Sequence, residues 1–437
     1  MATYLQRTES AGNRKTFTWS AWVKLGNATA TKFLAACSYS SSDESYFMIN
    51  SSAQLGWESS TSSDGTVRTN RLFRDINGWY HIVLAVDTTQ ATDSNRIKFY
   101  VNGVQETSMS TATYPAQDRQ LYWNVGGTYY PRIGKRHASG NEWDGSMSHV
   151  VHIDGTQELP TIFGETDSTT GEWKIKTSIT PSSGWGTNGY HILKDGNSVT
   201  DQSGQGNNWS VGGGTLTKTE DNPSNVFATN NSLWKQESSR YLTHTKGNTQ
   251  IKGQGAFTWY QTPGTLAFNS GKFYWECKWN ASSNLTQNHA GVIDYDKTME
   301  TGLFRSKTGS VFFTNEDGGE MHIDGPATSA DYGTIAQNDI LGVAVDMDAT
   351  TPTVKFYKNG SLHASTNAAS LAGKFVTPAQ MVYEDGEFQL NFGNGYFGTT
   401  AVSSNSGSGY SATGSLGIFQ YQPPTGYTAL STKGLNL

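Results

Sequence analysis

The chain has 437 residues, with 48 Gly, 13 Trp, 21 Tyr and 19 Phe, and only 16% of it is charged. A formal net charge of −6 argues against a non-specific nucleic-acid binder, which needs a basic face, and no apolar stretch reaches bilayer-spanning length. Two cysteines, Cys37 and Cys277, far apart in the chain, speak against a disulfide framework and for reduced thiols acting as small apolar residues. The length allows two or three domains. Richness in glycine and aromatic residues, without long helical periodicity, predicts strands joined by tight turns.

The polar N-terminus lacks the apolar segment of a signal peptide. Without that signal, the N-x-S/T triplets at Asn27, Asn208 and Asn280 read as chance matches. Phe17-Thr18-Trp19-Ser20-Ala21-Trp22-Val23 alternates with period two, setting Phe17, Trp19, Ala21 and Val23 on one face. Further strands are expected at Ser45–Asn50, Gln54–Glu58, Trp79–Val86, Arg96–Val101 and Trp143–Asp154. Gly164-Glu165-Thr166-Asp167 is turn-rich, Asp201–Gly214 is crowded with Gly, Asn and Ser, and residues 166–222 read as a connector. Strands resume at Gly271–Lys278, Val311–Thr314, Ile340–Asp346, Val354–Lys358 and Phe388–Phe392. Ser403–Gly417 is low-complexity. The Phe419–Tyr427 segment, with its paired prolines, favours an extended, docked tail.

One unit occurs twice. Ile97-Lys98-Phe99-Tyr100-Val101-Asn102-Gly103 returns as Val354-Lys355-Phe356-Tyr357-Lys358-Asn359-Gly360, and each copy follows an apolar strand ending in Ala-Val-Asp. Asn-Gly supplies the left-handed backbone of a type I′ turn. Lys358 in the slot of Val101 points to a strand end or an edge.

Phe17–Val23, Trp79-Tyr80-His81-Ile82-Val83, Lys98–Gly103 and Trp143-Asp144-Gly145 together resemble laminin-G or concanavalin A-like lectin domains over residues 1–165. Residues 223–400 look like a SPRY domain, carried by Gly271-Lys272-Phe273-Tyr274-Trp275-Glu276, Asp339–Asp346, Phe356–Gly360 and Asn391-Phe392-Gly393 in the family's order. The resemblance implies an all-β chain of two concanavalin A-like jelly-roll sandwiches in tandem, with a Gly/Asn/Ser-rich connector (166–222) and a Ser/Gly linker with docked tail (401–437). Taken whole, the chain is similar to virion proteins of marine bacteriophages.

Relatives of this sandwich include glucanases, whose carboxylates alternate on one strand face. Glu165, Asp167 and Glu172 are interrupted by turn-forming Ser168–Gly171, and Glu384, Asp385 and Glu387 also lie in turn sequence. There is no G-x-S-x-G and no phosphate-loop motif, and His149 and His152, three apart in a strand, face opposite ways. The chain therefore reads as a binding protein, with no enzymatic activity and no required cofactor. Calcium is the ion a lectin-like rim could hold, and Asp43, Asp64 and Asp75 are its candidate ligands. Candidate ligand-binding residues are Trp57, Trp123, Tyr129, Tyr130 and Trp143 in the first domain, whose rings could stack on a sugar face. In the second domain they are Asp294, Tyr295, Asp296 and, in the 315–332 loop, Tyr332.

The resemblance implies a virion component assembled in the host cytoplasm: a tail-fibre or receptor-binding protein recognising host surface glycan or protein. The alternative is a decoration or accessory protein that packs on other virion proteins. Neither role involves nucleic acid or membrane insertion, and a homo-oligomer fits both.

Overall fold

The computed structural model describes all residues except 1–2, 27–29, 61–63, 138–139, 236–241, 256, 282–284, 286, 329 and 403–409. The Asn27 triplet and most of the first half of the Ser403–Gly417 run lie outside the described residues. Those described form strands, turns and short 3-10 helices, with no α-helix among them. The protein is all-β. It divides into two compact units, Met1–Lys218 and Thr219–Leu437.

The first unit is a sandwich. One sheet runs Tyr190–Ile192, Ser146–Asp154, Thr16–Lys24, Tyr80–Asp87, Ile97–Val101, Val104–Glu106. The facing sheet runs Met109–Thr113, Thr66–Leu72, Gln54–Ser59, Asp43–Ile49, Lys32–Ser40, Tyr130–Ile133, Tyr4–Gln6, Ser210–Gly213. Phe17, Trp19, Ala21 and Val23 share one core with Phe47, Leu55, Trp57 and Phe99, as their alternation requires. Trp19 meets Phe47 edge-on at 5.6 Å, and Phe47 stacks on Phe99 at 5.7 Å. Both cysteines are free and buried.

The other face of the six-stranded sheet is covered as well. Val83, Ala85, Tyr100, Val151 and Ile153 pack beneath Phe163, with Ile162, Ile179 and Trp185 against them. Residues 166–218 of the expected connector are therefore part of the first unit. Its strand Tyr190–Ile192 pairs with Ser146–Asp154, and Ser210–Gly213 pairs with Tyr4–Gln6. Gly164–Thr166, expected as a turn, is one arm of a hairpin with Trp173–Ile175. A shift of register between Ser148 and Val151, with His149 at φ 47°, puts a bulge in the closing strand. His149 lies by His191 on the outer side, while His152 lies among Phe17, Trp123 and Tyr190 in the core.

In the second unit one sheet runs Thr243–Thr245, Gln250–Lys252, Gly386–Asn391, Lys272–Ala281, Ile340–Asp346, Thr353–Lys358, Ser361–Asn367. The other runs Trp259–Pro263, Val376–Tyr383, His289–Asp294, Ser310–Thr314, Glu320–Ile323. Trp275, Trp279, Phe313, Phe356 and Phe388 fill its core. The tail is woven in. Thr428–Ala429 adds a parallel strand beside Phe273 and Tyr274, and Phe419 and Leu430 are buried. Glu276 accepts from the backbone N–H groups of Gln420 (2.9 Å) and Tyr421 (2.8 Å) and from Asn391 Nδ2 (3.1 Å).

The repeated unit has one geometry in both places. Asn102 and Gly103 take φ 48° and 81°, and Asn359 and Gly360 take 48° and 83°. Asn102 Oδ1 accepts from His81 N at 2.8 Å, and Asn359 Oδ1 from Ile340 N at 2.9 Å. The likeness extends one strand further, to Phe-x-Trp. Phe17 opposes Val86 and Trp19 opposes Leu84, just as Phe273 opposes Val345 and Trp275 opposes Val343. Lys358 is the last residue of a strand paired on both sides. It marks a strand end, not an edge.

Candidate functional site

A partly exposed ring cluster of the first unit forms where strand Lys32–Ser40 runs out. Tyr39, at that end, is 54% exposed. Tyr122 and Tyr129 come from the loop that precedes strand Tyr130–Ile133. Tyr129 lies 5.7 Å from Tyr39 and stacks on Tyr122 at 5.9 Å, with an interplanar angle of 11°. Asp43 stands beside them, accepting from Ser40 Oγ at 2.9 Å, with its carboxylate close to the Tyr122 phenol. Burial and then the Asp43 carboxylate raise the pKa of Tyr122, and Tyr129 is raised by the same two causes, so both phenols remain neutral donors. Arg14 flanks the loop, donating to the Leu121 carbonyl at 2.8 Å and to Gln120 Oε1 at 3.3 Å. Tyr130, next in sequence, is 40% exposed with the Arg132 guanidinium 5.9 Å from its ring. Three contacting rings edged by a carboxylate, an amide and the Arg14 guanidinium can hold the apolar face of a sugar and hydrogen-bond its hydroxyls.

Residues 2–157 match the laminin G model of the Concanavalin A-like lectin/glucanases superfamily. The tyrosine cluster lies wholly within this concanavalin A-like domain, whereas the outer cover of residues 158–218 lies beyond the match. Among solved structures, the chain is similar to the TRIM65 PSpry domain (16% identity, 38% of this chain and 88% of that one, TM-score 0.31). It is also similar to the SPRY domain of human HERC1 (14%, 36% and 90%, TM-score 0.28). A heptameric SAP-like pentraxin from Limulus polyphemus is a further likeness (16%, 35% and 69%, TM-score 0.27). A search of curated proteins returned no match.

The concanavalin A-like domain disposes of three expected ring sites. Trp57 is fully buried, and Trp123 and Trp143 are buried in the same core; Trp123 stacks on Phe17 at 5.2 Å. None of the three can meet a ligand from solvent. Of the first-domain candidates, Tyr129 belongs to the cluster and Tyr130 borders it. Tyr39 and Tyr122 were missed, although Tyr39 stands at the mouth of a Ser-Ser-Ser-Asp turn.

The three aspartates do not converge. Asp64 is fully buried, ion-paired with Arg119 and accepting from Ser59 Oγ at 3.0 Å. Asp43 opens strand Asp43–Ile49 beneath Tyr122. Asp75 closes its own turn by accepting from Asn77 N at 2.8 Å. A calcium loop made of these residues is corrected accordingly: each carboxylate is held by a separate local partner.

The carboxylates weighed for hydrolysis are tied up in turns and pairs. Asp167 accepts from Thr169 N and Thr170 N, and Lys174 lies 3.1 Å from Asp167 and 3.5 Å from Glu165. Glu387 accepts from Gln250 Nε2 at 2.9 Å and Asn280 Nδ2 at 3.1 Å.

In the second unit Asp294 is buried and caps a short 3-10 turn through Asp296 N. Tyr295 is exposed beside Met299 and Phe375, its N–H donating to the Phe375 carbonyl at 2.7 Å. Tyr332 is half-buried against the core, apart from that exposed group. The 315–332 stretch is not a simple loop, because it contains strand Glu320–Ile323.

Proposed function

We propose that the protein is a non-covalent binder whose concanavalin A-like domain takes a carbohydrate at Tyr39, Tyr122 and Tyr129. The observation that supports this most is the ladder of three contacting, partly exposed rings with a carboxylate at its edge. Such a site binds weakly on its own, and repetition on a particle raises avidity without new contacts. The order of motifs resembling virion proteins supports a tail-fibre or receptor-binding role on host surface glycan, in company with other virion proteins and as a homo-oligomer.

The decoration role has less behind it. The segment best suited to dock on a neighbouring subunit, the Phe419–Tyr427 tail, is occupied within its own unit by Glu276 and by the added strand. The proposed site does not call for calcium: its one carboxylate accepts from Ser40 Oγ, and a chelator should leave sugar binding unchanged.

The test is saturable adsorption of purified protein to host cells, competed by free surface polysaccharide. Tyr39→Ala and Tyr129→Ala are expected to weaken binding about tenfold each, the worth of one stacking ring, with unchanged unfolding midpoints for the exposed Tyr39. Adsorption that neither substitution alters would remove the site, and folded protein that never adsorbs would return the decoration role.

A further inference from the structure

The second unit brings together two histidines and a glutamate that have no part in the proposed sugar site. His289 lies at the start of strand His289–Asp294, Glu316 in the turn after strand Ser310–Thr314, and His322 in strand Glu320–Ile323. The register explains the meeting. His289 opposes Thr314, which opposes Glu320, and the period of two puts Glu320 and His322 on the same face. That face is the outer one, roofed by the segment that carries Phe304 and Arg305.

The ring nitrogens are directed inward by their partners. His289 Nδ1 lies 3.3 Å from the Gln287 carbonyl and His322 Nδ1 lies 3.1 Å from the Gly325 carbonyl. A carbonyl only accepts, so each Nδ1 carries a proton; His289 Nε2, facing the Arg305 guanidinium, presents a lone pair, and His322 Nε2, facing the Glu316 and Glu320 carboxylates, presents one when a metal displaces its proton. This is the arrangement of a metal-binding histidine, whose far N–H is fixed by a backbone oxygen. Glu316 Oε2 stands 3.7 Å from His289 Nε2 and 3.6 Å from His322 Nε2. The three ligand atoms lie within 4.8 Å of one another. A tetrahedral zinc ion spaces its ligands by about 3.3 Å, so closure needs shifts of a few tenths of an ångström to about an ångström. His322 is buried and its Nε2 makes no hydrogen bond, with Glu320 Oε1 the nearest carboxylate at 3.3 Å.

Arg305 stands where the cation would go. Its Nη1 pairs with Glu316 and lies 3.0 Å from His289 Nε2, while its guanidinium carbon is 4.7 Å from the centre of the Trp259 ring. A guanidinium and a divalent cation compete for the same carboxylate and the same lone pair. When the metal takes them, Arg305 keeps the Trp259 face as its partner.

We propose that His289, Glu316 and His322 form a binding site for a zinc-class divalent transition metal, for which Arg305 is the built-in competitor. Two imidazoles with one carboxylate suit zinc better than calcium, which wants six to eight oxygens. The fourth position is open to water, beside Glu320. Bound metal would join the Glu316 turn to the sheet and release Arg305 from it.

The test uses untagged full-length protein stripped with chelator, dialysed, loaded with Zn²⁺ and freed of excess by desalting. Metal analysis is expected to find about one zinc per chain, and Co²⁺ substitution a ligand-field band in the visible. His322→Gln and Glu316→Gln should weaken the affinity by about tenfold or more, whereas a His149→Gln, His191→Gln protein should match the parent. Arg305→Gln separates a metal site from a plain ion-pair network. It should bind zinc more tightly than the parent, and its lowered melting temperature should rise with zinc concentration as mass action requires. The proposal is overturned if the parent retains no zinc, if retention is indifferent to His322→Gln, or if zinc leaves the melting temperature of Arg305→Gln where it was.

Discussion

His81 shows what one side chain settles in this fold. It is buried between the Trp22 ring at 5.1 Å and the Trp173 ring at 5.9 Å. Trp173 Nε1 donates to its Nδ1 at 3.0 Å, so Nε2 carries the proton and donates to Ser20 Oγ at 2.8 Å. Burial, with a small contribution from His149, lowers its pKa from 6.5 to about 3. Between those values the unfolded chain takes up a proton that the folded chain does not. The stability His81 contributes is therefore complete above pH 6.5 and is lost as pH falls toward 3. His81→Gln should destabilise the first unit near neutral pH, and the gap to the parent should narrow by about 1.4 kcal/mol per pH unit below 6.5. Urea unfolding of both proteins at neutral and acid pH checks this, and a gap independent of pH would refute it.

Glu276 is the matching residue in the second unit. Burial raises its pKa to about 7, against four donors that favour the carboxylate: Gln420 N, Tyr421 N, Asn391 Nδ2 and the Tyr274 hydroxyl. Only an acceptor satisfies all four. Glu276→Gln turns an N–H₂ toward at least one donor, so a loss of about 1–3 kcal/mol is expected. Limited proteolysis should then cut the tail near Gln420 sooner than in the parent.

At the scale of elements, legibility followed the alternation of large residues and the length of the strand. Thr16–Lys24 was readable because its large residues alternate, although both its faces are buried, the outer one by Thr18, Ser20 and Trp22. Lys32–Ser40 is buried almost throughout and carries no alternation to read. Tyr190–Ile192, Ser210–Gly213 and Gly164–Thr166 are three or four residues long, too short for any period to show. They count only because a partner strand, distant in the chain for Ser210–Gly213 and Tyr190–Ile192, lies ready to pair with each. This yields a prediction about fragments. A chain ending at residue 165 keeps Phe163 but strips Ile179 and Trp185 from the face of Val83, Ala85, Tyr100 and Val151, loses strands Tyr190–Ile192 and Ser210–Gly213, and should aggregate. One ending at Lys218 should be monodisperse and melt cooperatively. Size-exclusion chromatography and circular dichroism of the two fragments decide the matter, and a well-behaved 1–165 fragment would mean that the cover is dispensable.

Across the whole molecule, much was present in the local pattern. The Asn-Gly turns, the Ala-Val-Asp strands and the all-β class follow from period and turn chemistry, which act over a few residues and need no partner. What the tertiary structure decided was exposure and convergence. Trp57 and Tyr39 look equally available in the sequence. One is sealed by the facing sheet and the other is left at a strand end, because burial depends on segments far away in the chain. The same holds for His289, Glu316 and His322. No spacing motif joins them, and it is the register of three neighbouring strands that turns their ligand atoms toward one point.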